Sequence, residues 1–133
     1  MSFQQNKSLF EGYDYFFCCL GTLTKVGEEL FRKVDHDYPI EFAKIAKAHE
    51  AKRFVLVSSL GASPTSWFLY AKTKGETERD IKELELEKFT IVRPGMLQER
   101  GGDFRFKEMI GGIIPFLGKI KCMDVAKAMI EIC

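Results

Sequence analysis

Three short apolar runs, separated by stretches long enough for a helix, restrict this chain to few folds. The runs are YFFCCL (Tyr15 to Leu20), FVLV (Phe54 to Val57) and FTIV (Phe89 to Val92). Continuous apolar runs of this length are typical of strands that are covered on both faces. Connections longer than about ten residues favour parallel pairing with right-handed crossovers. The sequence therefore predicts an α/β fold.

Helical patterns fill both gaps between the predicted strands. The first runs from about Asp37, which can cap a helix, to about Glu50, with Pro39 at an early position. The second runs from about Ser66 to about Leu86. The predicted inward face of this second helix is Leu69, Thr73, Ile81 and Leu84, and its predicted solvent face is Glu76, Glu78, Lys82 and Glu85.

The pattern weakens after the third run. Glycines and prolines break the chain into loop and a short helix around Phe104 to Ile110, and a final helix is predicted from about Met123 to Ile132. With 133 residues the chain is long enough for one core and too short for two. A single domain over residues 1–133 is therefore expected.

Charge and hydropathy exclude two classes of partner. Lys and Arg number 20 against 19 Asp and Glu, so no excess of cation is available to bind nucleic acid. The longest apolar runs, Phe16 to Leu20 and Ile113 to Leu117, are far below the roughly 20 residues of a membrane span. The polar segment Met1 to Phe10 has no secretory h-region, which favours a cytoplasmic location.

The spacing of the four cysteines fits neither a disulfide framework nor a zinc site. Cys18 and Cys19 are adjacent within an apolar run, Cys122 is distant, and Cys133 is terminal. No metal is predicted.

Three loops are expected to share one site, because ligands of parallel sheets bind beyond the carboxyl ends of the strands. These loops begin at Gly21, Ser58 and Arg93. Tyr70 and Lys74 lie four residues apart and so on one face of the second predicted helix. An ammonium beside a phenol favours the phenolate, so such a tyrosine can act as a general acid or base.

Ser58 and Ser59 follow the second strand, where a hydroxyl can approach the helical tyrosine and bind a substrate carbonyl. Taken alone, each signal has a plainer interpretation. Tyr70 and Lys74 fit a partly exposed helix pair, the serines fit ordinary loop chemistry, and Arg93-Pro94-Gly95 fits a simple turn.

Together these residues resemble the active site of the short-chain dehydrogenase/reductase superfamily, a Ser, a Tyr and a Lys in the order Tyr-x-x-x-Lys. The segments YDYFFCCLGT, FRKVDHDYPIEFAKIAKAHEAKRFVLVSSLGA, WFLYAKTKGETE and FTIVRPGML are similar to the atypical, NADPH-binding reductases of the Tat-interacting protein family and to related fungal mitochondrial proteins. The similarity covers most of Gly12 to Leu97 and, more loosely, Ile120 to Met129. It implies a Rossmann-like, doubly wound parallel sheet.

The resemblance also implies roles for individual residues in NADPH-dependent reduction of a small-molecule carbonyl. Tyr70 would donate a proton to the carbonyl oxygen, Lys74 would activate Tyr70 and bind the nicotinamide ribose, and Ser58 or Ser59 would orient the carbonyl. The remaining implied cofactor contacts are Leu20, Gly21 and Thr22 at a ribose, and Arg93, Pro94 and Gly95 beside the nicotinamide.

One departure from that family concerns the cofactor's phosphates. None of the 11 glycines forms Gly-x-Gly-x-x-Gly or Gly-x-x-Gly-x-x-Gly, the turn that lets a backbone approach a pyrophosphate. The similarity begins at about Phe10, at the family's fourth strand, so an incomplete Rossmann-like domain is expected. We therefore expect impaired binding of NADP and little or no turnover. Three explanations fit such an incomplete domain: a truncated or spliced product, an incomplete gene model, or a genuine half-domain.

The first predicted strand, Tyr15 to Leu20, would then be an edge, and an apolar edge strand tends to pair with another chain. Self-association is expected. The alternative function is a non-catalytic regulatory or protein-interaction module, because the resemblance implies protein partners, apoptosis and nuclear transport. A nuclear location is the companion expectation of this alternative.

Overall fold

A three-stranded parallel sheet organises the fold. In this computed structural model, which describes residues 8–98 and 119–133, the strands are β1 (Tyr15–Cys18), β2 (Arg53–Val57) and β3 (Phe89–Val92). They pair in the order β1-β2-β3, with both pairings parallel. The predicted α/β class and all three predicted strands are confirmed.

The crossover from β1 to β2 is helical from residue 28 to residue 48 and contains a π-helical turn. Helix α1 (Glu28–Arg32) continues through the π turn (Lys33–Asp37) into α2 (Tyr38–Ala48). Asp37 has φ −66° and ψ −46°, so it lies inside the helix and makes no side-chain cap. The predicted helix start at Asp37 is wrong, because the preceding turns are helical as well. Single π turns of this kind are frequent at functional sites.

The crossover from β2 to β3 is α3 (Leu69–Lys82). Thr73 and Ile81 are fully buried, as predicted for its inward face. The predicted exposure of Glu78 is wrong, since its side chain is buried beneath Arg93 and forms an ion pair with it.

Helices cover both faces of the sheet. Alternate residues of β2 face opposite sides, as a strand requires. On one side, a core forms from β1, β2, α2 and α3; it contains Phe16, Cys18, Ala43, Ile45, Ala46, Ala51, Phe54, Leu56 and Ile81. On the other side, Val55 packs with Val125 and Met129 of α4 (Cys122–Glu131). This layering agrees with the predicted doubly wound arrangement.

The end of the chain carries a second, two-stranded sheet. β4 (Met96–Gln98) pairs in parallel with β5 (Lys119–Lys121), which leads directly into α4. The predicted final helix is confirmed with a shift of one residue at each end. The predicted short helix around Phe104 to Ile110 lies outside the described residues.

Within the described ranges, β1 has a strand neighbour on one side alone, as predicted for an edge. Its side chains alternate: Phe16 and Cys18 are buried, whereas Tyr15 and Phe17 are 43% and 39% exposed. No helix in residues 8–98 or 119–133 is long and apolar enough to cross a membrane.

Candidate functional site

A buried ion pair lies at the carboxyl end of β1. The Lys74 ammonium of α3 is 2.8 Å from Oδ1 of Asp35, which lies in the π turn. The side chains are 7% and 0% exposed. The contact is an approach of opposite charges rather than a well-aligned hydrogen bond, because Oδ1 accepts none. Two groups that are almost never buried alone are therefore buried together.

The loop after β1 contacts both members of this pair. The Thr22 backbone N–H donates to Oδ2 of Asp35 at 2.7 Å, and Lys74 donates to the Leu20 carbonyl at 3.5 Å. At Gly21 a side-chain Cβ would lie 3.3 Å from Oδ1 of Asp35 and 3.7 Å from the Lys74 nitrogen. The predicted segment from Leu20 to Thr22 thus lies against Lys74, with little room for a side chain at its centre.

Tyr70 lies one turn before Lys74 on α3. Its ring centroid is 5.9 Å from the Lys74 nitrogen, and its ring is half-buried. The ring packs on Phe31 of α1 with a centroid separation of 5.9 Å and an interplanar angle of 34°. The structure therefore brings Tyr70 and Lys74 together, as their spacing predicts.

Ser58 and Ser59 follow β2 and are each 5% exposed. Neither hydroxyl has a hydrogen-bond partner in the part of the chain that the structure describes. Their backbone is firmly held: the Ser58 N–H donates to the Val92 carbonyl at 2.8 Å, and the Leu60 N–H donates to the Pro94 carbonyl at 3.1 Å. Buried hydroxyls are normally paired, so two adjacent hydroxyls without partners are uncommon within the described residues.

The loop that bears the serines packs directly on α3. The Ser63 N–H donates to the Ala71 carbonyl at 3.0 Å. A Cβ on Gly75 would lie 2.2 Å from the Ser63 carbonyl carbon and 2.3 Å from the Pro64 nitrogen. No side chain fits there, so Gly75 allows the serine loop to lie close to the helix of Tyr70 and Lys74.

In the third predicted loop, Arg93 differs from Pro94 and Gly95 in its surroundings, because its side chain is exposed and pairs with Glu78. Arg93 donates from Nε to Oε1 of Glu78 at 2.9 Å and from Nη2 to the other carboxylate oxygen. This bond raises the pKa of the Arg93 guanidinium above its usual value. Pro94 is buried and Gly95 is half-buried at the end of β3. The cofactor roles of all three residues remain predictions.

Cys18, the last residue of β1, is buried in the core that β1 and β2 form with α2 and α3. Burial raises the pKa of its thiol, and the nearby Lys74 charge partly opposes that shift. Among residues 8–98 and 119–133, no group of three or more His, Cys, Asp or Glu side chains is arranged to hold a metal.

Asp35 is not among the residues that the sequence pattern singles out. It precedes Asp37, the predicted start of the first helix, and carboxylates in such positions are usually exposed. Nothing in the local sequence distinguishes the buried Asp35 from the nearby Asp37, whose side chain is 60% exposed.

Comparison with known proteins identifies relatives of this chain. Protein HTATIP2 of Rattus norvegicus is 40% identical over 110 residues, which cover 78% of this chain and 46% of the rat protein. The mitochondrial protein FMP52 of Kluyveromyces lactis is 55% identical over 74 residues, or 55% of this chain and 33% of that protein. FMP52 of Eremothecium gossypii is 42% identical over 112 residues, which cover 82% of this chain and 49% of that protein. The chain thus spans about half the length, or less, of these relatives.

The expected cytoplasmic location is contradicted by these comparisons, because several relatives are named mitochondrial. The expectation rested on the lack of a secretory h-region. That criterion does not separate cytoplasmic from mitochondrial proteins, since mitochondrial transit peptides are amphipathic and basic rather than apolar.

Structural comparison supports the fold. The structure of MoeE5 in complex with UDP-glucose and NAD matches 93% of this chain and 53% of its own chain, with a TM-score of 0.70 and 10% identity. A family model described as NAD(P)H-binding matches residues 1–133. With the relatives above, these findings show that the chain is a homologue of HTATIP2 and belongs to the NAD(P)H-binding family.

Proposed function

We propose that this protein takes part in NADPH-dependent reduction of a small-molecule carbonyl. The observation that carries the proposal is the position of Lys74 beside Tyr70, while the serine loop, with two buried and unpaired hydroxyls, packs against the same helix. An acid, a cation and neutral donors are the groups that such a reaction requires of the protein.

In the proposed reaction, Tyr70 donates a proton to the carbonyl oxygen. Ser58 or Ser59 donates a hydrogen bond to the same oxygen and orients it. Lys74 activates Tyr70 and donates hydrogen bonds to the nicotinamide ribose. When bound, the cofactor supplies the hydride. These roles are supported by the serine hydroxyls, which lack partners within the described residues, and by the Lys74 ammonium near the Tyr70 ring.

The residues present fit one half of the cofactor better than the other. Buried, unpaired serine hydroxyls and the Lys74 ammonium suit a nicotinamide and its ribose. No glycine pattern suited to a pyrophosphate occurs among the 11 glycines. We therefore propose weak binding of NADPH by the 133-residue chain, with slow turnover, because distal contacts normally supply positioning energy.

A titration of the full chain with NADPH, followed by cofactor fluorescence, tests this proposal. We expect saturable binding that weakens about tenfold in Lys74→Ala, roughly the loss of one charge-assisted hydrogen bond. Lys72→Ala, at an exposed position of the same helix, is the matched control and should bind normally. No binding at millimolar NADPH, or equal weakening in both variants, would contradict the proposal. The same titration with NADH tests the preference for NADPH.

A second candidate function is a non-catalytic interaction module. It is favoured by β1, whose outer side has no strand neighbour within the described ranges and whose Tyr15 and Phe17 are exposed. Such an edge is a template for pairing with a second copy or another protein. Sedimentation velocity should show association that increases with concentration and decreases in Phe17→Lys. A monomer at every concentration argues against self-association.

We also propose a mitochondrial location, by analogy with the FMP52 relatives. Subcellular fractionation with an antibody against the native protein tests it, and recovery outside the mitochondrial fraction is the contrary result.

A further inference from the structure

Asp35 has no part in the proposed reaction, yet it makes contacts at the centre of the site. Its side chain is 0% exposed. One carboxylate oxygen faces the Lys74 ammonium at 2.8 Å, and the other accepts the Thr22 N–H at 2.7 Å. A single carboxylate therefore joins three elements: the π turn, helix α3 and the loop after β1.

The chain around Asp35 is fixed as well. The Thr77 hydroxyl lies 2.9 Å from the Asp35 carbonyl and 2.8 Å from the Thr73 carbonyl, so α3 is bound to the backbone of the π turn. The neighbouring His36 contacts Asp80 of α3 at 2.9 Å and Asp37 at 2.8 Å. The carboxylate is consequently held on a rigid support, as a group that orients another must be.

The negative charge of Asp35 also affects the Lys74 ammonium. A buried ammonium without a counter-charge tends to lose its proton, whereas an adjacent carboxylate keeps it charged. Within residues 8–98 and 119–133, the other titratable groups near Lys74 are Tyr70 on its own helix and Cys18 on β1, and neither is a carboxylate. Asp35 therefore supplies the counter-charge to Lys74.

We propose that Asp35 is a positioning residue, which keeps Lys74 as an oriented ammonium and fastens it to the Leu20 to Thr22 loop. The inference rests on the proposed function for its purpose, because the oriented ammonium is the group offered to the cofactor ribose. The charge relation between Asp35 and Lys74 stands apart from any reaction and can be measured without cofactor.

Lysine acetylation provides that measurement. The full chain and its Asp35→Asn variant are treated briefly with acetic anhydride between pH 6 and 9, and each lysine is quantified by mass spectrometry. Asn keeps the shape and an acceptor for the Thr22 N–H but removes the charge. We expect labelling of Lys74, relative to the exposed Lys52, to rise about tenfold in the variant and to persist to lower pH, because the neutral amine is the reactive form.

An unchanged pH profile of Lys74 labelling in Asp35→Asn would overturn the inference. If all lysines become equally reactive, the variant has unfolded, and a second test decides. The double variant Asp35→Leu/Lys74→Met should then be more stable to urea than either single variant, since it removes both charges. A double variant no more stable than the singles would overturn the inference.

Adding NADPH to the labelling reaction separates this inference from the proposed function. Protection of Lys74 by NADPH in the unmodified chain supports the function. If NADPH gives no protection while Asp35→Asn still raises Lys74 labelling, the function fails and the positioning role stands.

Discussion

The candidate site has two halves that differ in how their polar groups are satisfied. In the lysine half, which comprises Lys74, Asp35 and the Leu20 to Thr22 loop, the ammonium and the carboxylate contact each other and the backbone. In the serine half, Ser58 and Ser59 have fixed backbones and unpaired hydroxyls. The stability of the fold should therefore be more sensitive to changes in the lysine half than to changes in the serine half.

The largest effect should come from removing one charge of the lysine half. Lys74→Met keeps most of the side-chain volume but leaves the Asp35 carboxylate buried without a counter-charge. We expect a loss of about 3–5 kcal/mol in the free energy of unfolding, measured by urea denaturation. A loss below about 1 kcal/mol would show that the pair resembles an exposed ion pair.

The second largest effect should come from disturbing the contact between the lysine half and the serine half. Gly75→Ala places a Cβ 2.2 Å from the Ser63 carbonyl carbon, so the loop or α3 must move. We expect a loss of about 1–3 kcal/mol in unfolding free energy. Nuclear magnetic resonance should show amide shifts on both sides of the contact, near Ser63 and near Lys74. Shifts confined to one side would mean that the halves are not rigidly joined.

The serine half should tolerate truncation. Ser58→Ala and Ser59→Ala each remove a buried hydroxyl that lacks a partner, so the unfolding free energy should change by less than about 1 kcal/mol. Urea denaturation of both variants beside Lys74→Met gives the direct comparison. A loss above about 2 kcal/mol would reveal a structural role for the hydroxyl.

The smallest effect concerns pH and the support of the lysine half. Desolvation raises the pKa of Asp80, but hydrogen bonds from Arg79 and His36 outweigh it and hold that pKa below its usual value of 3.8. The ionised carboxylate thus stabilises the fold above about pH 4, and that stability is lost as the pH falls through the lowered value. Asp80→Asn should be less stable than the unmodified chain at pH 7. Urea titrations at pH 7 and pH 3 should show this difference shrink with acid; a constant difference would contradict the assignment.

The strands of the fold can be predicted from the sequence because they are short apolar runs that end at residues unfavourable in a strand. Arg93-Pro94 ends β3 where predicted, and Gly21-Thr22 follows the first run. The start of the first crossover helix could not be predicted from the sequence. Gly27 precedes Glu28 without a side-chain cap, so the start signal there is limited to the acidic first turn. Asp37 resembles a stronger signal although it lies within a helix.

The candidate site was predictable where it depends on local spacing. Tyr70 and Lys74 share a helical face, which a spacing of four residues requires. Asp35 and Glu78 were not predictable, because their burial depends on partners distant in sequence, Lys74 and Arg93. A carboxylate on a helix is exposed by default, and only a tertiary ion pair reverses that expectation.

The hydrogen bonds from Ser58 to Val92 and from Leu60 to Pro94 prolong the β2–β3 pairing past the last strand residues. The serine backbone is thus a continuation of the central sheet and shares its cooperativity. Heating should therefore release the serine backbone and melt the sheet at one temperature, so the order of the serine loop reports global unfolding.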